Sequence, residues 1–257
     1  TKATTADFSA DASACVECLK RRPEVSQVGI LGHSEGGLVA AMVASECRSV
    51  DFLVLLAPPV FPISRIWEQQ APFINRKKGT NERQAALRRK FEAEAWQKLA
   101  TIARVNADKG IFREFYTSFL AGLSEEDRVM LGFPSSEKGQ IGIENDLQEW
   151  CSPWMLFMAA FNPAASYRGI SCPVLGIFAG LDESVLPEPN AAELEKHLRS
   201  GKCPSFKIHT FPDFDHQMRR PVRHASVTYP LTETVATETL NLVTGWIKSQ
   251  MQAPASH

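Results

Sequence analysis

A short apolar run, Gln27 to Leu31 (QVGIL), leads directly into Gly32-His33-Ser34-Glu35-Gly36, and that pentapeptide leads directly into Gly36 to Cys47 (GGLVAAMVASEC). The first segment has the length and flanks of a buried strand, and the last reads as a small-residue helix. Joining the two over so few residues demands a sharp turn with little side-chain bulk near it. A second apolar run, Phe52 to Ala57 (FLVLLA), follows and is stopped by Pro58-Pro59. Strand, helix, strand in this order predicts a parallel α/β unit.

G-x-S-x-G occurs by chance in many chains, but between a strand and a helix it has the context of a nucleophile elbow. Gly32 and Gly36 are expected to remove side chains where strand and helix approach closely. Ser34 then occupies a strained turn with its hydroxyl exposed above the sheet. The backbone N–H of Glu35 is placed to act as an oxyanion donor. The plainer alternative is a tight glycine turn with a bystander serine.

A serine nucleophile needs a base, and the base needs an orienting carboxylate. Pro173 to Phe178 (PVLGIF) and Ser205 to Phe211 (SFKIHTF) are two further strand candidates. Asp182 follows the first in Ala179-Gly180-Leu181-Asp182, and His216 follows the second in Pro212-Asp213-Phe214-Asp215-His216. Both fall at C-terminal strand ends, where active sites of open α/β sheets assemble. Glu183 is the nearest rival acid; Asp182 ranks ahead because it ends the Gly-x-Asp turn. Among other histidines, His33 lies inside the elbow and His209 within a strand. His224 follows a basic loop, and His197 falls in the last turn of a helix, where a cation suits the dipole.

The middle of the chain has a different character. From about Ile66 to Tyr167 no strand is expected. Asn81 to Asn106 carries Leu87, Phe91, Ala95, Leu99 and Ile102 at helical spacing. Lys109 to Leu123, Glu125 to Gly132 and Leu147 to Phe161 read as further helices, as do Asp11 to Arg22, Asn190 to Arg199 and Thr232 to Gln250 elsewhere. So long a helical insertion exceeds a crossover loop. The expected organisation is a core segment over 1–60 with the elbow, a helical cap over 61–168, and a second core segment over 169–257 with the acid and the histidine. The cap is rich in apolar groups, Trp150, Trp154, Met155, Phe157, Met158 and Phe161. Most are expected to pack the cap. His33, Trp154, Met155 and Met158 are the candidates for contact with a substrate.

Composition narrows the classes. Lys+Arg 28 against Asp+Glu 29 lacks the basic excess of a nucleic-acid binder. The apolar runs are far shorter than the ~20 residues of a membrane span. Thr1 to Ala14 has no charged start followed by an apolar stretch, so no signal peptide is read there. The compartment stays open, since the thiols suit the cytoplasm and a lost leader would suit export. Cys15-Val-Glu-Cys18 sits within a helix with no second such pair and no histidine cluster, so two half-buried helix residues are expected there. No metal motif and no cofactor motif is present.

GHSEGG after a strand, PVL-x-I-x-x-G-x-D, and Phe-x-x-Phe-x-His together resemble the α/β-hydrolase superfamily. The resemblance is to bacterial esterases and serine-aminopeptidase-like hydrolases with Gly-His-Ser-Glu-Gly-Gly at the elbow. Ser152-Pro153-Trp154 and Phe161-Asn162-Pro163 look like that group's approach to its acid strand. The likeness runs from about Asp11 to the C-terminal helix and is weakest over Pro59 to Asp146. It implies Ser34 as nucleophile, Asp182 as orienter and His216 as general base. It also implies strands before the elbow strand, and an early loop that supplies a second oxyanion N–H. Here one helix precedes the elbow, so the sheet is expected to be the C-terminal part of the fold with about four strands. An N-terminal segment of the same protein would complete it, because the QVGIL strand would otherwise keep a bare apolar edge. The implied activity is hydrolysis of small carboxylic esters through an acyl-enzyme. The alternatives are a peptidase or amidase with the same triad, or a catalytically incomplete binding fragment.

Overall fold

The structure, a computed structural model, describes residues 2–221 and 234–252. The apolar runs form β1 (Gly29–His33), β2 (Phe52–Leu56), β3 (Val174–Ala179) and β4 (Phe206–Phe211), paired in the order β1-β2-β3-β4 and all parallel. The fold class is therefore α/β. Strands covered on both faces need unbroken apolar sequence rather than alternation. The central pair, FLVLL and VLGIFA, has it and is almost wholly buried.

The helices of the described residues are α1 (Thr5–Lys20), α2 (Glu35–Glu46), α3 (Ile63–Lys78), α4 (Glu82–Val105), α5 (Gly110–Ala121), α6 (Glu125–Leu131), α7 (Gly139–Trp150), α8 (Pro153–Ala160), α9 (Ala164–Gly169), α10 (Pro187–Ser200) and α11 (Thr237–Gln252). No strand occurs between β2 and β3. Among the described residues no helix is long and apolar enough to cross a membrane. The chain divides into two compact units, a sheet unit of Ala6–Phe61 with Pro163–His257, and a helical unit of Thr1–Thr5 with Pro62–Asn162.

In the sheet unit, successive side chains of each strand point to opposite faces. Val54, Leu56, Leu175 and Ile177 meet Val243 of α11, with Phe214 and Met218 closing the same cluster. On the other face Gly176 leaves room for Leu194 of α10, whose Cδ2 would stand 2.9 Å from an added Cβ. Strand β1 starts two residues later than the apolar run suggests and continues to His33, opposite Leu56. The ladder therefore extends to the residue before Ser34. Gly29 starts the strand because the Phe52 ring of β2 fills its side-chain space, 2.0 Å from an ideal Cβ.

The helical unit is built around aromatic rings. Phe91 on α4 packs against Phe115, Phe119, Phe133 and Trp150, with ring centroids 4.8–5.4 Å away. Helix α4 begins at a capping box: Asn81 Oδ1 accepts from the Gln84 N–H, and Gln84 Oε1 accepts from the Asn81 N–H. It ends on Asn106, which takes the left-handed conformation at φ 49°. The expected helix over Leu147 to Phe161 is instead two helices. Ser152 caps α8 by accepting the Met155 N–H, and Pro153 in the first turn supplies no N–H to continue α7. Helix α3 is not among the helices expected from the sequence; Pro62 stands just before it and Pro72 lies inside it. Cys15 and Cys18 are exposed on α1, not half-buried. Residues 232–233 of the expected last helix lie outside the described residues, as does His224.

Candidate active site

The elbow is strained at its centre. Ser34 has φ 55° and ψ −123°, the left-handed side of the map that side chains disfavour. Such a residue costs about 1–3 kcal/mol, offset by the structure around it. Its N–H donates to the Leu56 carbonyl at 2.9 Å, and its carbonyl accepts from the Gly37 N–H at 2.9 Å. Gly32 is required by close approach, because a Cβ there would lie 2.1 Å from the Gly36 carbonyl oxygen. The second close glycine is Gly37, whose Cβ would meet Pro58 at 2.9 Å, whereas Gly36 faces open space. The expectation for Gly36 is corrected accordingly. Glu35 is the first residue of α2, at the helix end where backbone N–H groups point outward.

Asp182 follows β3 on a turn in which its own N–H donates to the Ala179 carbonyl at 3.1 Å. Its side chain is fully buried. Oδ1 accepts the N–H groups of Ser184 and Val185 at 2.7 and 2.8 Å, and Oδ2 faces His216 Nδ1 at 2.7 Å. A buried carboxylate needs such donors. Glu183, the rival acid, is not the partner of the His216 ring.

His216 reaches back from the loop after β4. Its Nε2 lies 3.1 Å from Ser34 Oγ. With the Nδ1 hydrogen on Asp182, Nε2 carries the lone pair and accepts the serine hydroxyl hydrogen. The loops bearing Asp182 and His216 are tied by their backbones: Gly180 N–H donates to Phe211 at 2.7 Å and Leu181 N–H to Phe214 at 2.9 Å. Gly180 must be glycine here, since a Cβ would stand 2.3 Å from the Pro212 carbonyl oxygen. Asp215 holds the histidine turn from within. Its Oδ1 accepts the N–H groups of Gln217 and Arg219, and Oδ2 takes the Arg219 guanidinium in a two-pronged bond. Arg220 ties the loop to α11 by pairing with both Asp213 and Glu238.

The remaining candidates fall in different places. His33 lies beside the centre and donates from Nε2 to the His216 carbonyl at 2.7 Å. Trp154, Met155 and Met158 are residues of α8 in the helical unit. Trp154 is partly exposed on a groove of about 870 Å³ whose rim carries Lys109, Arg113 and Glu144. Met155 and Met158 are each 5% exposed, and Met158 Sδ accepts from the Thr5 hydroxyl at 3.4 Å. His197 lies in the last turn of α10, where burial lowers its pKa and its Nε2 is 3.2 Å from Glu193 Oε1. Burial, with Lys207 nearby, lowers that of His209 as well. Sequence reasoning missed the parts played by Gly37, Gly180 and Asp215. Gly180 and Asp215 flank Asp182 and His216 closely, but nothing in their identity signals a backbone contact.

No protein-family model matches the chain. Over 208 residues it is 25% identical to Esterase EstD of Thermotoga maritima, covering 81% of this chain and 39% of that protein. The chain thus spans about two fifths of the length of the curated relative it matches. Among solved structures it is similar to Est1E from Butyrivibrio proteoclasticus, with a TM-score of 0.48, 16% identity, and 98% of this chain and 73% of that chain covered. It is also similar to dipeptidyl peptidase 4 of Porphyromonas gingivalis, with a TM-score of 0.47, 13% identity, and 98% and 24% covered.

Proposed function

We propose that this chain, with its α/β-hydrolase arrangement of elbow, acid loop and histidine loop on a parallel sheet, is a serine hydrolase that cleaves carboxylic esters through an acyl-enzyme. The observation that carries the reading is the continuous line from Ser34 Oγ to His216 Nε2 at 3.1 Å and from His216 Nδ1 to Asp182 at 2.7 Å, on a strained elbow. The sequence likeness to an esterase favours esters over amides.

In this reading Ser34 Oγ attacks the ester carbonyl carbon as its proton passes to His216 Nε2. The carbonyl oxygen becomes an oxyanion, with the Glu35 N–H as one donor. The intermediate collapses, the C–O bond to the alcohol breaks, and the departing alkoxide takes the proton from His216. Water then attacks the Ser34 acyl group, giving its proton to His216, and the acid leaves as Ser34 recovers its hydrogen. Asp182 stays ionised and orients the imidazole throughout. The substrate is a small-molecule ester. The reading includes strand addition at the free edge of β1 by a further segment of the same protein. It is supported by the place of β1 at the end of the described sheet, where it pairs with β2.

A fluorophosphonate probe and a p-nitrophenyl ester test the reading together. Covalent labelling at Ser34, ester turnover, and loss of both in Ser34→Ala are expected, the turnover falling by about 10⁶ as when a serine protease loses its nucleophile. Ester hydrolysis by Ser34→Ala within tenfold of the parent would sink the assignment. A parent chain that leaves the probe unreacted would instead be a binding fragment, and faster anilide than ester cleavage would point to a peptidase.

A further inference from the structure

His216 is gripped at its ring by Asp182 and Ser34, but a ring is only as well aimed as the backbone beneath it. That backbone is a tight turn. Met218 N–H donates to the Asp215 carbonyl at 2.9 Å, so His216 and Gln217 are its two central residues. The carbonyl of the first central residue takes no part in the closing bond of such a turn. The peptide between the central residues is therefore held only by bonds other than the closing one. Asp215 Oδ1 accepts the Gln217 N–H, which holds one edge of that peptide plane, and also accepts the Arg219 N–H; the His216 carbonyl on the opposite edge has a second partner.

That partner is His33. Its Nε2 lies 2.7 Å from the His216 carbonyl oxygen, and the two imidazole rings stand 4.8 Å apart, tilted at 48°. A carbonyl oxygen only accepts, so His33 Nε2 carries the hydrogen. His33 is the last residue of β1, seated opposite Leu56 in the ladder, and its neighbour in the chain is Ser34. Consecutive residues of one strand end thus hold both ends of His216, Ser34 at the ring and His33 at the carbonyl.

We infer that His33 is a positioning residue for the base: by donating to the His216 carbonyl it locks the turn that aims the imidazole at Ser34. The inference rests on the assignment of Ser34 and His216 as nucleophile and base. It replaces the expectation that His33 contacts substrate. Misplacement of a reacting group by about 1 Å is enough to lower a rate by about 10²-fold.

The test compares the parent with His33→Leu, His33→Gln and His33→Asn. A glutamine amide nitrogen stands where His Nε2 stands, and an asparagine amide nitrogen stands where Nδ1 does. Only the glutamine therefore restores the donor. The rate of Ser34 labelling by the fluorophosphonate probe is read alongside kcat and KM for a p-nitrophenyl ester, and melting curves identify folded variants. Labelling rate and kcat are expected to fall by about 10–100-fold in the Leu and Asn variants with KM within about twofold, and the Gln variant to recover to within about threefold of the parent. Should His33→Leu fail to fold, the Gln and Asn pair decides alone. Equal rates in the Gln and Asn variants, a Leu variant as fast as the parent, or a loss confined to KM would each overturn the inference. A parent that is not labelled at Ser34 overturns the nucleophile assignment itself, and this inference with it.

Discussion

The sheet unit and the helical unit bury polar groups by opposite means. In the sheet unit the buried carboxylate of Asp182 is met by two backbone N–H groups and one imidazole, and the loops that carry Asp182 and His216 are joined backbone to backbone. In the helical unit the buried carboxylate of Asp127 is met by side chains, Arg83, Ser124 and Gln84, drawn from other turns and helices. Satisfaction differs too. Among the described residues, buried polar atoms without a partner are Asn75 Oδ1, Arg88 Nε, Trp96 Nε1 and Arg128 Nε in the helical unit, against Thr239 Oγ1 in the sheet unit. Backbone donors come with the fold and hold their angles, whereas side-chain donors can re-pair. The first arrangement suits a site that needs one geometry, and the second suits a unit whose shape is set by ring packing.

The largest expected break, after removal of Ser34, comes from Asp182→Asn. It keeps the shape of the acid but removes the charge, and ester turnover should fall by about 10⁴, as when a serine protease's triad carboxylate becomes an amide. Glu183→Gln should change turnover far less. If the Glu variant is the more damaged, the orienter is misassigned. Phe91→Ala applies the same logic to the other unit. Removing a ring that is 2% exposed should destabilise the helical unit by about 3–5 kcal/mol, read from chemical denaturation. Probe labelling of the folded fraction should continue. Gly180→Ala comes next: forcing a Cβ against the Pro212 carbonyl should destabilise the sheet unit by about 1–3 kcal/mol. Unlike Phe91→Ala it should slow labelling in the folded fraction, because the acid and histidine loops separate together.

The smallest effect on ester turnover is expected at Glu92. Burial raises its pKa from 4.5 to about 7, against the opposing pull of Arg88 at 3.7 Å. The folded chain therefore holds a proton that the unfolded chain releases, and stability falls as pH rises from about 4.5 through about 7. Glu92→Gln should remove that slope and raise the melting temperature above pH 7 by on the order of 10 °C, while leaving it unchanged at pH 4. A parent whose melting temperature climbs over the same range would contradict the burial of that charge.

How much could be read in advance follows the same division. Parallel strands covered on both faces announce themselves as unbroken apolar runs, so QVGIL, FLVLLA, PVLGIF and SFKIHTF lie within a residue or two of the observed strands. The positions of Ser34, Asp182 and His216 after three of those runs were legible for the same reason, while the distances between them were not. Helix α4 was legible nearly to the residue because Asn81 and Asn106 suit its two ends. Helix α3 was hidden by Pro72, whereas the break between α7 and α8 was marked by Ser152-Pro153 but overridden by the apolar residues on either side of that pair. Close approaches left no mark. Gly36 and Gly37 are indistinguishable in a sequence, and only the position of Pro58 decides which of them is crowded. A histidine side chain that holds a distant carbonyl has no signature at all.

The parallel pairing of β2 with β3 has a consequence in time. Leu53 and Val174 are partners in the ladder, and all of Pro62–Asn162 lies between them along the chain. The helical unit needs only contacts within that one stretch and residues 2–5, so most of its packing forms between near neighbours, the kind of contact that forms fast. The sheet cannot close, and Asp182 and His216 cannot reach Ser34, until that intervening stretch has been made and its ends brought together. Closing a span gains only about 0.6 kcal/mol in cost with each doubling of its length, and an insertion that has already condensed shortens the effective span further. A chain emerging from the ribosome therefore exposes Ser34 well before Asp182 and His216.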